Sequence, residues 1–156
     1  ETIVQKATEL GASSIVPVEM KRSVAKWDRS KEEAKLKRLR TIAKSASEQS
    51  GRDIIPEVLP AMKTDEAVAY ARENCDVILA PYENAEGIEN TRKVLKGLAG
   101  DSRIGVFIGP EGGFDEAEVE AAQAVGIEPI TLGRRILRTE TAPLAVLSWL
   151  GYQLET

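Results

Sequence analysis

The sequence predicts an α/β domain in which a mostly parallel sheet carries helices on both faces. Two observations lead there. Short apolar runs stop at proline or glycine, and helix-period segments separate them. Near-continuous apolar strands of this kind suit a sheet buried on both sides.

The opening ETIVQKATELG reads as an amphipathic helix with Ile3, Ala7 and Leu10 on one face and Gly11 as its stop. It starts in mid-helix without an initiator methionine, so the expectation is a fragment with a strand or a whole domain upstream. SSIVPVEM supplies a strand. Lys31 to Ser50 is helical, with Leu36, Leu39, Ala43 and Ala46 pointing inward and Lys35, Lys37, Arg38, Arg40 and Lys44 over the remaining surface. RDIIPEVLP is an edge or irregular strand, because two prolines interrupt it. A helix over Thr64 to Glu73 leads to the strand and turn DVILAPYEN, Asp76 to Asn84. After a helix from about Glu89 to Ala99 come the strand and turn RIGVFIGPEGG, Arg103 to Gly113. Asp115 and Glu118 form an Asp-x-x-Glu pair that opens the next helix, which runs to Val125 and is ended by Gly126. IEPITLGRR, Ile127 to Arg135, is the last strand and turn. The final helix, Pro143 to Leu154, has almost no polar face and must be buried, as a core helix or against a second subunit.

At 156 residues, 42% apolar and 29% charged, the chain suits one globular domain. No run approaches the roughly 18 apolar residues of a membrane span, and the expected location is cytoplasmic. With one cysteine and no histidine, an internal disulfide, a zinc site and a His-driven triad are all excluded, and no metal is expected. Acid–base work falls to Asp, Glu, Lys, Tyr or the substrate. Lys21 to Arg52 holds 11 of the 21 basic residues and four of the 25 acidic ones, a local surplus of +7 in a chain of net charge −4. That asymmetry hints at a polyanion partner, and a solvated helix face would look the same.

Ligands of parallel sheets sit beyond the carboxyl ends of the strands. Ala80-Pro81-Tyr82, Gly109-Pro110-Glu111-Gly112-Gly113 and Leu132-Gly133-Arg134-Arg135 are therefore expected at one rim. GPEGGF is neither a Walker loop nor Gly-x-Gly-x-x-Gly. Glu111 would repel a phosphate at the helix N-terminus, so a neutral or cationic ligand fits better. Glycines 109, 112 and 113 allow close approach of a flat ligand and positive φ, although a tight turn alone would also use them. In LGRRILRTETAP, Thr139 or Thr141 can cap the final helix and Pro143 suits its first turn. Arg134, Arg135 and Arg138 have no such structural explanation.

KATELG, SEQSGR, IGPEGGF and LGRRILRTETA, in this order and at these intervals, resemble the RsmE family of SPOUT methyltransferases, from about Thr2 to Gln153. The resemblance implies a trefoil-knotted α/β domain over residues 1–156, an antiparallel homodimer, and a PUA-like N-terminal barrel lying outside this sequence. It implies methylation of uridine N3 in small-subunit (16S) ribosomal RNA, free or in the assembled subunit, with S-adenosyl-L-methionine as donor. Carried over by position, Leu79, Ala80 and Pro81 flank the cofactor. Gly109, Pro110, Glu111 and Gly112 line one side, while Leu132, Gly133, Ile136 and Leu137 hold the adenine. On this reading Arg138 stabilises negative charge on the base, and Glu140 orients it or accepts its proton. Arg22, Arg52 and Arg135 are the expected RNA phosphate contacts. The competing readings are a related enzyme acting on ribose or another base, and a non-catalytic RNA-binding module.

Overall fold

A computed structural model describes residues 1–24, 26–83, 85 and 87–155. Helix α1 (Thr2–Glu9) leads into two strands of two residues each, β1 (Ser14–Ile15) and β2 (Val18–Glu19), separated by Val16 and Pro17. After α2 (Glu32–Ser50) come β3 (Glu57–Val58) and β4 (Met62–Lys63). β1 pairs with β3 and β2 with β4, both in parallel. Ile15 faces Val58 and Val18 faces Met62, so the second segment carries one extra residue between the two ladders. Pro60 falls in that interruption, which is where a residue without an N–H is tolerated. The sequence expectation is corrected accordingly: SSIVPVEM is broken into two strands, RDIIPEVLP keeps only the two residues of β3, and β4 has no counterpart in the predicted elements.

The remaining elements are α3 (Thr64–Asn74), β5 (Val77–Pro81), α4 (Ile88–Lys96), β6 (Ile104–Val106), α5 (Glu116–Ala124), β7 (Ile127–Ile130) and α6 (Ala142–Leu154). β5 stops at Pro81, where the sequence placed the turn signal of the segment Asp76 to Asn84, and Asn84 itself lies outside the described residues. β5 is central, with β6 and β7 parallel on its two sides. Pro129 occurs inside β7 because β7 is an edge strand. Ile130 turns its carbonyl to the Tyr82 N–H at 2.8 Å, and backbone groups alternate along a strand, so its neighbours Pro129 and Thr131 face away from β5.

Burial follows the same alternation. Leu79 is fully buried in one cluster with Leu95 of α4, Ile130, and Val146 and Leu150 of α6. Ile78 and Ala80 point the other way, into a cluster with Ala71 of α3 and Ile127. Helices therefore cover both faces of the three-stranded sheet. A third cluster joins Val4, Leu36, Leu39, Ala43 and Val58 between α1, α2 and β3. In α1 the buried stripe is Val4, Ala7 and Thr8; Ile3 and Leu10 are only half-buried, a one-position rotation from the sequence expectation. α6 buries Pro143, Val146 and Leu150 but leaves Tyr152 79% exposed, so this chain alone does not cover the whole helix.

Asp76 clamps the entry of β5 to β6. Its carboxylate accepts from the Arg103 backbone N–H at 2.8 Å and the guanidinium at 2.9 Å. The side-chain bond from Arg103, helped by the backbone one, holds this carboxyl below the ordinary carboxylate range. A carboxyl depressed on folding stabilises the folded state above its unfolded pKa, and the gain is lost as pH falls through the folded value. Asp76→Asn is therefore expected to lower the melting temperature at pH 7, with the gap from wild type closing as the buffer is taken below the ordinary carboxylate range. A gap independent of pH would show that the ionic clamp contributes nothing.

Candidate active site

The parallel register dictates where the chain leaves the sheet. Pro81 sits beside Ile130, and Leu79 beside Val106, so the segments following β5, β6 and β7 emerge at one rim. There they enclose a cavity of about 460 Å³, lined by Pro81, by Gly109 to Gly113, by Leu132 and Gly133, and by Ile136 to Glu140. Such a volume suits a drug-sized or cofactor-sized ligand. Three carboxylates (Glu83, Glu111, Glu140) and two guanidiniums (Arg135, Arg138) belong to the lining, a balance that favours a cation over a phosphate.

Two of the residues expected to flank the ligand do not line the cavity. Leu79 and Ala80 are inside the strand, 0% and 8% exposed, and pack into opposite core faces; only Pro81, at the strand end, joins the wall. Ile136 lies at the wall but is 80% exposed, an apolar side chain at the mouth that packs little against its own chain.

The glycine loop is shaped by protein contacts more than the sequence suggests. A Cβ on Gly112 would fall 2.9 Å from Cβ and 3.2 Å from the carbonyl oxygen of Arg22, and one on Gly109 would meet the Phe114 ring at 3.1 Å. Of the three, only Gly113 has positive φ, at 69°. The segment around Arg22 thus lies directly on the loop. Arg22 donates to the Gly112 carbonyl at 3.3 Å and lies 3.9 Å from Asp115, while the Val24 N–H donates to Glu111 Oε2 at 3.4 Å. Below the loop, Asp115 accepts from the Glu118 N–H at 2.7 Å and Glu118 returns the bond at 2.9 Å, the reciprocal cap that starts α5.

In the third loop neither threonine caps α6 through its side chain. Thr141 occupies the cap position without a side-chain bond, and Thr139 donates instead to the Gly109 carbonyl at 3.4 Å, tying two loops together. The N–H groups of Thr141 and Ala142 both donate to the Arg138 carbonyl, at 2.9 and 3.0 Å, which fixes the backbone that carries Arg138 and Glu140. Among the described residues, Arg134, Arg135, Arg138 and Glu140 form no ion pair.

Much of the basic run is engaged internally. Arg29 meets Glu19 at 3.2 Å, Arg40 donates to the Val58 carbonyl at 2.9 Å, and Lys35 sits 4.3 Å from the Trp27 ring centroid. Arg52 donates to the carbonyls of Thr8 and Ala12, at 2.7 and 2.8 Å, closing the C-terminus of α1. Arg52, expected as a phosphate contact, has its guanidinium engaged by these carbonyls and does not line the cavity. Phe114 and Thr131 are wall residues to which the sequence reading gave no site role, whereas Tyr82 was expected at the rim and Thr139 only as a helix cap. Only their adjacency to the glycine and threonine motifs could have flagged them.

With this geometry in hand, the relatives of the chain decide its family. A model of the RNA methyltransferase domain matches residues 1–151. The chain belongs to that family. Ribosomal RNA small subunit methyltransferase E of Bacillus subtilis (strain 168) is 38% identical over 157 residues, covering 99% of this chain and 61% of the relative. The enzyme of the same name from Neisseria gonorrhoeae, solved bound to S-adenosyl methionine, is 35% identical with a TM-score of 0.78, over 97% of this chain and 59% of that one. A Legionella pneumophila chain solved with bound SAM is 33% identical with a TM-score of 0.80, over 97% of this chain and 60% of that one. The chain thus spans about three fifths of the length of these relatives. Among the described residues no helix is long and apolar enough to cross a membrane, and no cluster of three metal-ligating side chains occurs.

The close approach at Gly112 gives a direct expectation. Gly112→Ala should destabilise the domain by about 1–3 kcal/mol, because the Arg22 backbone has to move. Gly100→Ala, where a Cβ meets open space, should stay within about 0.5 kcal/mol. Denaturant titration of both variants checks the contrast, and equal effects would remove the packing account of Gly112.

Proposed function

We propose that this chain is the catalytic domain of an S-adenosyl-L-methionine-dependent methyltransferase acting on N3 of a uridine in small-subunit (16S) ribosomal RNA. The observation that carries the proposal is the single cavity in which three strand-end loops meet Arg138 and Glu140. Its volume and its excess of carboxylates fit a cationic sulfonium donor of this size. Pro81 and the Gly109–Gly112 turn would hold one side of that donor, and Leu132, Gly133, Ile136 and Leu137 the adenine side. When bound, it supplies an electrophilic methyl carbon. The relatives bound to this donor, and the rRNA named for the Bacillus and Neisseria enzymes, support the same reading.

The chain's own residues then have two tasks. Uridine N3 carries a proton at neutral pH, and its lone pair becomes nucleophilic only when that proton leaves. Glu140 accepts it or orients the base, and Arg138 stabilises the negative charge that spreads onto the base oxygens. Neither side chain is neutralised by an ion pair among the described residues, so both are available for these roles. Positioning and exclusion of water supply the rest of the acceleration. The trefoil-knotted threading, the upstream PUA-like barrel and the antiparallel homodimer belong to the same proposal. The incompletely covered surface of α6, with Tyr152 exposed, supports the dimer.

Incubation of the full-length protein with small subunits and donor, followed by nucleoside mass spectrometry of the rRNA, tests the function. N3-methyluridine is the expected product; a ribose-methylated nucleoside, another methylated base or no product would each overturn the assignment. In single-turnover assays with RNA saturating, Glu140→Gln should slow methyl transfer by about 10²–10⁴-fold. A wild-type rate would remove Glu140 from the chemistry. Among the phosphate candidates, Arg135→Gln should flatten the fall of RNA affinity with salt by about 0.7–0.9 in log–log slope. Arg52→Gln should leave that slope alone and lower stability instead.

A further inference from the structure

We propose that Thr91, on α4 and outside the cavity, is a positioning residue for the donor loop, acting through Thr131 onto Gly133. This rests on the methyltransferase reading above. β7 is an edge strand, and Thr131 at its end faces away from β5, so its N–H has no strand partner. Thr91 supplies one: its hydroxyl oxygen accepts from the Thr131 N–H at 2.9 Å, in a spot where Thr91 is fully buried and Thr131 is 7% exposed. The Thr131 hydroxyl in turn brackets Gly133, accepting from its N–H and donating to its carbonyl, each at 3.2 Å. Gly133 has φ of 109°, a conformation that is easily left unless its flanks are pinned.

Three links thus run from a helix side chain, through one buried amide, to the turn that forms the adenine side of the cavity. α4 packs on β7 and α6, so its position is set by the core and passed on to the loop. Asn90 adds a second suture to the same strand, donating to Glu128 Oε1 at 3.4 Å. Removing the acceptor at Thr91 leaves a buried N–H unsatisfied, and the cheapest relief is for residues 131–133 to swing toward water. A polar residue with no exposure, on a helix that otherwise buries only Leu95, is placed there for this bond.

The test compares Thr91→Val, which keeps the shape and loses the acceptor, with Thr91→Ser, which keeps the acceptor. Two readouts are taken: calorimetric affinity for S-adenosylhomocysteine, and amide hydrogen exchange of the ligand-free chain. Thr91→Val should weaken S-adenosylhomocysteine by about tenfold and speed exchange at Thr131 and Gly133 by a similar factor. Thr91→Ser should restore both. Val58→Ala, in the separate cluster between α1 and α2, should lower the melting temperature without changing affinity. With donor saturating, kcat of Thr91→Val should stay near wild type while KM for the donor rises. Unchanged affinity and exchange in Thr91→Val, or a Ser variant as impaired as Val, overturns the proposal. Should Thr91→Val not fold, Thr131→Val keeps the amide bond to Thr91 and removes the bracket on Gly133; it should speed exchange at Gly133 and weaken S-adenosylhomocysteine by a similar factor, and no change in either overturns the relay. If wild type itself ignores S-adenosylhomocysteine, the methyltransferase reading falls, and the exchange data alone decide whether Thr91 holds the loop.

Discussion

The structure depends on the parallel pairing of β5 with both β6 and β7. Parallel strands release their chains at the same end, and the register places Pro81 against Ile130, so three loops from three parts of the sequence have no choice but to meet. The pairing is held from both faces: Leu79 is locked under α4 and α6, Ile78 and Ala80 under α3 and α5. Burying one such leucine is worth about 1.5–3 kcal/mol, against about 0.5–1.5 kcal/mol for a neutral hydrogen bond such as that from Thr139 to Gly109. The cavity is thus a consequence of the core, and the polar bonds around it choose among conformations the core already allows.

Those polar bonds divide the labour. The reciprocal Asp115–Glu118 cap fixes where α5 begins and so where the glycine loop ends. Thr139 ties the third loop to Gly109, and the Arg138 carbonyl collects two N–H groups before α6. The Arg22 segment presses on Gly112 from outside, with a backbone approach that no side chain at 112 would permit. Each restraint acts on main chain and leaves the side chains of Arg138 and Glu140 without ion-pair partners among the described residues.

Periodicity made the helices legible: α2 buries Leu36, Leu39, Ala43 and Ala46 as its spacing demands. The strand-end rule brought Pro81, Gly112 and Gly133 to one place for the same kind of reason, since it depends only on strand direction. What was not legible depends on contacts between distant segments. The bulge that splits the first ladder is set by pairing across more than forty residues, and β4 is too short to leave a pattern. Arg52 looked like a surface cation because its partners, Thr8 and Ala12, are far away in sequence. Gly109 and Gly112 looked like room for a ligand and are occupied by Phe114 and Arg22. Thr91 left the faintest trace, a lone hydroxyl on the buried side of a short helix.

On the proposed function, one cavity formed by three strand ends receives a cationic methyl donor. Mapping amide chemical shifts during titration with S-adenosylhomocysteine tests it most directly. Gly109, Gly112, Gly133 and Leu137 are expected to shift together along one saturating curve. Shifts confined to the apolar groove between α3 and α5, around Val68, Val119 and Ala122, would contradict it.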